Sequence, residues 1–93
     1  MYVGMMKIAV SVSHAQSLKE KRKVVRSLKD RVKARFNVSI AEVGALDLWQ
    51  RAEFGVAVAA SDAANADSQL SAVLNLISSS ADVIEVSTEL VCR

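Results

Sequence analysis

The chain has 93 residues, of which 52% are apolar, so it is neither a disordered tail nor a multi-domain protein, and one domain spanning residues 1–93 with a modest core is expected. A lone Cys92 excludes an intramolecular disulfide and a thiolate metal cluster; no apolar run is long enough to cross a bilayer and the first residues lack a basic leader, so a cytoplasmic location is expected. The net charge of +2 hides a strong asymmetry, because residues 1–35 carry +8 and residues 36–93 carry −6, which makes the chain a dipole rather than a uniformly basic protein.

Residues 2–13 alternate. Met6, Ile8, Val10 and Val12 point one way and Lys7, Ala9, Ser11 and Ser13 the other, which predicts a strand with one buried face. His14, Ala15 and Gln16 then connect to a long helix over 17–36. Leu18, Val25, Leu28, Val32 and Phe36 recur at helical spacing, and Val24 widens their stripe. Ser17 followed by Glu20 reads as a capping box, in which the hydroxyl accepts from the Glu20 amide and the carboxylate reaches back to the Ser17 amide. Asn37 is expected to end the helix in the left-handed conformation.

This helix holds nine of the chain's twelve basic residues, against Glu20 and Asp30, for a net +7. Lys19, Arg22, Lys23, Arg26, Lys29 and Lys33 fall within an arc of about 120° beside the apolar stripe. Cations in the first turn also oppose the helix dipole, at roughly 0.3–1 kcal/mol for each exposed charge. A local rule broken without visible compensation often marks a site. Here it implies a positive surface with free amides at one end, suited to phosphate.

Residues 38–43 predict a second strand, with Glu42 ill-suited to full burial. A loop follows over 44–52, with room for one helical turn after Asp47. Residues 53–60 predict a third strand with Phe54, Val56, Val58 and Ala60 on one face. Ser61 and Asp62 offer a cap for a second helix over 64–79, whose apolar face is Ala66, Leu70, Val73, Leu74 and Ile77 and whose polar face is nearly uncharged. A fourth strand over 83–91 places Ile84, Val86 and Leu90 inward and Glu85, Ser87 and Glu89 outward. The order β-α-β-β-α-β predicts an α+β, ferredoxin-like sandwich, with two helices on one face of a four-stranded antiparallel sheet. The first and third strands have the longest apolar runs and belong in the centre, whereas the acidic second and fourth suit the edges.

The opening YVG, the run SLKEKR and the stretch NVSIAEVGALDLWQRAEFGVAV resemble the YlxP-like family of small uncharacterised bacterial proteins. The resemblance is specific over residues 2–60 and fainter beyond. It implies a ferredoxin-like fold and brings no established activity and no catalytic residues. Relatives are commonly encoded beside genes for ribosome maturation and translation initiation, which points towards RNA or a ribosomal subunit as partner.

The expected binding strip is therefore Ser17, Lys19, Arg22, Lys23, Arg26, Lys29 and Lys33, with Trp49 and Arg51 as secondary contacts. Three readings fit the strip: a solvated face, a phosphate-binding face for nucleic acid, and a face for an acidic protein partner. Outward residues of the central strands (Lys7, Ala9, Ser11, Gly55, Ala57 and Ala59) include no aromatic, so bases are not expected to stack on the open sheet face. That small-residue face, or a strand edge, instead suits a homodimeric interaction or regulatory module recognising an acidic partner. Trp49 has two readings, an anchor for its own loop and a stacking residue. His14 has no acidic neighbour in sequence and Cys92 no histidine, so neither reads as a metal ligand or nucleophile, and no metal or cofactor is expected. Acylphosphatases of this fold cradle phosphate with a glycine-rich loop and an arginine after the first strand. The connection SHAQS here has neither, so a non-catalytic protein is expected.

Overall fold

A computed structural model describes residues 1–93. The elements are β1 (Tyr2–Ser11), α1 (Leu18–Arg35), β2 (Ser39–Gly44), β3 (Arg51–Ala60), α2 (Ala63–Ser78) and β4 (Asp82–Cys92). They form one antiparallel sheet in the order β2-β3-β1-β4. The apolar strands β1 and β3 are central and the acidic strands are the edges, as their composition predicts. This is the ferredoxin-like arrangement.

Both helices cover the same face. α1 lies over β2, while α2 packs on β1, β3 and β4. Met6, Ile8, Val10 and Val12 meet Phe54, Val56 and Val58 in a core completed by Val25, Leu28, Val32, Leu70, Val73, Leu76 and Ile77. Burying each of the larger side chains contributes roughly 1.5–3 kcal/mol. Gly4 lets α2 come close: a Cβ there would stand 3.0 Å from Leu70 Cδ1 and 3.5 Å from Ala66 Cβ.

Several local expectations change. The Ser17 hydroxyl does accept from the Glu20 amide, at 3.1 Å, but the Glu20 carboxylate accepts from the amide of Gln16, at 2.7 Å, one residue before the expected donor. α1 ends on Phe36 in an extended conformation with its N–H donating to Val32 O, so Asn37 supplies no left-handed cap. The loop narrows to residues 45–50 and holds a β-turn, with Leu48 N donating to Ala45 O at 3.0 Å, in place of a helical turn. Ala45 takes the left-handed conformation, φ 56°, and is the only non-glycine residue to do so.

The largest change is in β4. Ile84 has no partner on β1, because the register slips there: Ala9 faces Glu85 and Val10 faces Val83. Val86 and Leu90 do share the face of Ile8 and Gly4, their partners on β1. All three apolar residues are nevertheless exposed. Alternation placed Val86 and Leu90 on the correct face, but α2, although it touches β4, leaves these side chains largely uncovered. No helix is long and apolar enough to cross a membrane.

Candidate nucleic-acid interface

The strip on α1 is built as its spacing requires. Val25, Leu28 and Val32 lock one side of the helix against the sheet, which turns the basic arc outward. Lys19, Arg22, Lys23, Arg26 and Lys33 are exposed and Lys29 is half-buried. The chain's ion pairs all lie elsewhere, on Lys7, Lys21 and Arg51. Asp30 falls within the arc by helical phase, yet pairs with none of the cations. The strip is thus a positive flank that the protein's own carboxylates leave unneutralised. Ser17 is spent on the cap, and the Glu20 carboxylate beside the Gln16 amide already places a negative charge at the helix tip. The flank, rather than the tip, is the surface open to an anion.

Lys21 stands apart from the other cations. It is 1% exposed, and its ammonium donates to the carbonyls of Ala45 at 2.7 Å and of Leu46 and Arg51 at 3.3 Å. Glu42 Oε2 lies 3.1 Å away as counter-ion, an ion pair only, since this oxygen accepts no hydrogen bond. A buried ammonium is tolerable only when its charge and its protons are both matched, and here four oxygens do so. The +7 assigned to α1 therefore overstates its external charge, since Lys21 points inward. The signal for this was present. Lys21 sits four residues before Val25 and seven before Leu28, on the buried stripe. Glu42 shares the inward phase of Ile40. Each breaks an apolar pattern, and the two breaks face each other.

Lys21 fastens the β2–β3 loop over the first turn of α1. Gln50 fastens the other end: its carbonyl accepts from Val12 N at 2.9 Å, and its Nε2 donates to Ser13 O and Ala15 O, both at 3.2 Å. Between these ties the loop presents Leu46, Leu48 and Trp49 to solvent. Trp49 is 53% exposed and so does not anchor its loop in the core. Its loop is tied to the first turn of α1 through Lys21, on the buried stripe of the helix. Arg51 is placed differently. It faces the open side of the sheet, where its guanidinium is engaged by Glu85 at 3.2 Å and Glu53 at 3.8 Å. Arg51 is not grouped with the strip.

The open sheet face forms a shallow groove of about 640 Å³ whose lining includes Met5, Lys7, Ala41, Val43, Ala57 and Glu89, with no aromatic side chain. Val43 has no partner on β3 and its Cγ1 would lie 3.0 Å from a Cβ at Gly55, so the missing side chain makes its room. His14 is exposed, and no cluster of His, Cys, Asp and Glu could hold a metal ion. Cys92 is exposed on the β4 edge; its hydrogen bond and its charge push the neighbouring Tyr2 phenol above its ordinary value.

The family described as "Protein of unknown function (DUF503)" matches residues 3–90. The uncharacterised protein YlxP of Bacillus subtilis (strain 168) is 40% identical over 77 residues, covering 83% of this chain and 84% of the relative. Among solved structures, the de novo designed protein Foldit4 aligns with a TM-score of 0.51 and 14% identity over 99% of this chain and 97% of its own, a likeness of fold alone. A dimeric ferredoxin-like protein of unknown function from Thermobifida fusca YX aligns with a TM-score of 0.43 and 12% identity, over 98% and 92%.

Proposed function

The chain belongs to the DUF503 family of proteins of unknown function, and from its surface we propose a non-catalytic module that binds RNA, free or within a ribosomal subunit, through the flank of α1. The observation that carries this reading is the arc of six cations, free of carboxylate partners, on a helix whose other side is buried. Lys and Arg held at helical spacing neutralise phosphates and release their counter-ions. The exposed Trp49 on its fastened loop supplies a flat surface on which an unpaired base can stack, worth about 1–3 kcal/mol per base. Recognition through the helix side also agrees with a sheet face that lacks aromatics.

The test is a salt titration of the purified chain on ribosomal RNA and on isolated subunits. Neutralising four to six phosphates gives a slope of log affinity against log salt of about −3 to −5. Arg22→Glu with Arg26→Glu is expected to abolish binding with little change in thermal midpoint. Retention by that double variant equal to the wild type sinks the proposal.

A second reading is favoured by one observation. Leu46, Leu48 and Trp49 are each more than half exposed on a loop that Lys21 ties to the first turn of α1, apolar surface that together with the cations of the helix also suits an acidic protein partner. In that case binding survives nuclease treatment but is lost in the same charge-reversal variant.

A further inference from the structure

The outer backbone edge of β4 is unpaired along eleven residues. Ile84, Val86 and Leu90 beside it are 50%, 41% and 41% exposed. Exposed edges are ordinarily guarded by shortness, by lysine or proline, by bulges or by a covering element. β4 is long and has neither lysine nor proline; its carboxylates Glu85 and Glu89 lie on the face opposite Val86 and Leu90, and its one irregularity, at Ile84, guards only the N-terminal end. Residues 85–92 remain a regular run, a template for a further strand.

We infer that this edge pairs with β4 of a second copy, antiparallel about a two-fold axis at Thr88, joining the two sheets into one. The side chains select both the occupant and the register. Centred on Thr88, Val86 stands opposite Leu90 of the second copy, and Leu90 opposite Val86. Thr88 meets Thr88, a favourable cross-strand pair. On the other face Ser87 stands opposite Glu89, and Glu85 opposite Val91, so no carboxylate directly faces another. Centring on Ser87 sets Glu85 opposite Glu89, where like charges are destabilising. Centring on Val86 sets Leu90 opposite Asp82 and Thr88 opposite the unpaired Ile84.

The long-range charge agrees. α1 lies over β2, at the far edge of the sheet, so the seam keeps the two basic helices apart. α2, which reaches β4, carries Asp67 as its only charge. This dimer is independent of RNA binding, because it leaves the flank of α1 uncovered.

Sedimentation of the full chain over a concentration series tests the pairing. Wild type is expected to be dimeric, and Val86→Lys with Leu90→Lys to raise the dimer dissociation constant at least about 100-fold, since four apolar side chains lose their burial across the axis. Cross-linking tests the register in a Cys92→Ser background. Directly opposite residues lie about 4.5–5.5 Å apart, within disulfide range. Thr88→Cys is expected to form a linked dimer on mild oxidation, and Glu85→Cys, far from its symmetry mate, to remain unlinked. A strictly monomeric wild type at millimolar concentration, or equal linkage by the two cysteines, overturns the inference.

Discussion

The two rims of the sheet meet one problem in opposite ways. β2 is six residues long, lies beneath α1 and carries a bulge at Val43; its inward carboxylate, Glu42, is matched by Lys21. β4 is nearly twice as long, extends past α2 and keeps Val86 and Leu90 half out of the core. The first rim, short and lying under a helix, matches its inward charge within the chain. The second leaves a longer unpaired backbone edge together with apolar surface for something outside the chain. An edge strand is therefore not a single kind of object; what lies over it decides whether it closes the fold or extends it.

The sharpest way to break the contrast is to open the closed rim. Lys21→Met leaves Glu42 buried without its counter-ion and three carbonyls without a donor. A loss of about 3–5 kcal/mol of stability is expected in urea unfolding. Adding Glu42→Leu should return part of that loss, and a double variant no better than Lys21→Met would show that the ion pair is not the main tie. A smaller effect of opposite sign is expected at the loop. Ala45 holds φ 56°, which costs an alanine about 1–2 kcal/mol and a glycine nearly nothing. Ala45→Gly should raise stability by about 0.5–1 kcal/mol after the greater freedom of glycine in the unfolded chain is offset. The smallest effect belongs to the open rim. Val86→Thr with Leu90→Thr, measured on dilute monomer, should change stability by no more than about 0.5 kcal/mol per site, as for surface positions. A loss as large as that of Lys21→Met would mean that these residues belong to the core and that the contrast between the rims is false.

The fold was readable because each element announces its period. The apolar phase of β1 and β3, the stripe of α1 and the cap at Asp62, whose Oδ1 accepts from Asn65 N at 2.7 Å, are local signals and appear where they were expected. What escaped the sequence was coverage and pairing at a distance. Alternation placed Val86 and Leu90 on the correct face, but no local pattern tells how far α2 reaches across it. Lys21 and Glu42 each looked like a polar intrusion, and only the packing of α1 over β2 makes them one interaction. In α2 the buried stripe takes Leu76, while Leu74 is only partly buried, a rotation too small for helical spacing alone to resolve. The outward direction of Lys19, Arg22, Lys23, Arg26 and Lys33 was legible because helical phase defines it, whereas the partial burial of Lys29 was not. Nor was Trp49, since no periodicity governs a six-residue loop.

The enclosure of Lys21 also changes how the chain meets amine-directed chemistry. Acylating reagents need a free, solvated amine, and the lysines along the exposed flank offer one. At Lys21 the nitrogen lies under the loop with its protons already committed to oxygens. Its modification therefore waits for the loop to lift, so the rate at which this one residue reacts is a clock for that opening.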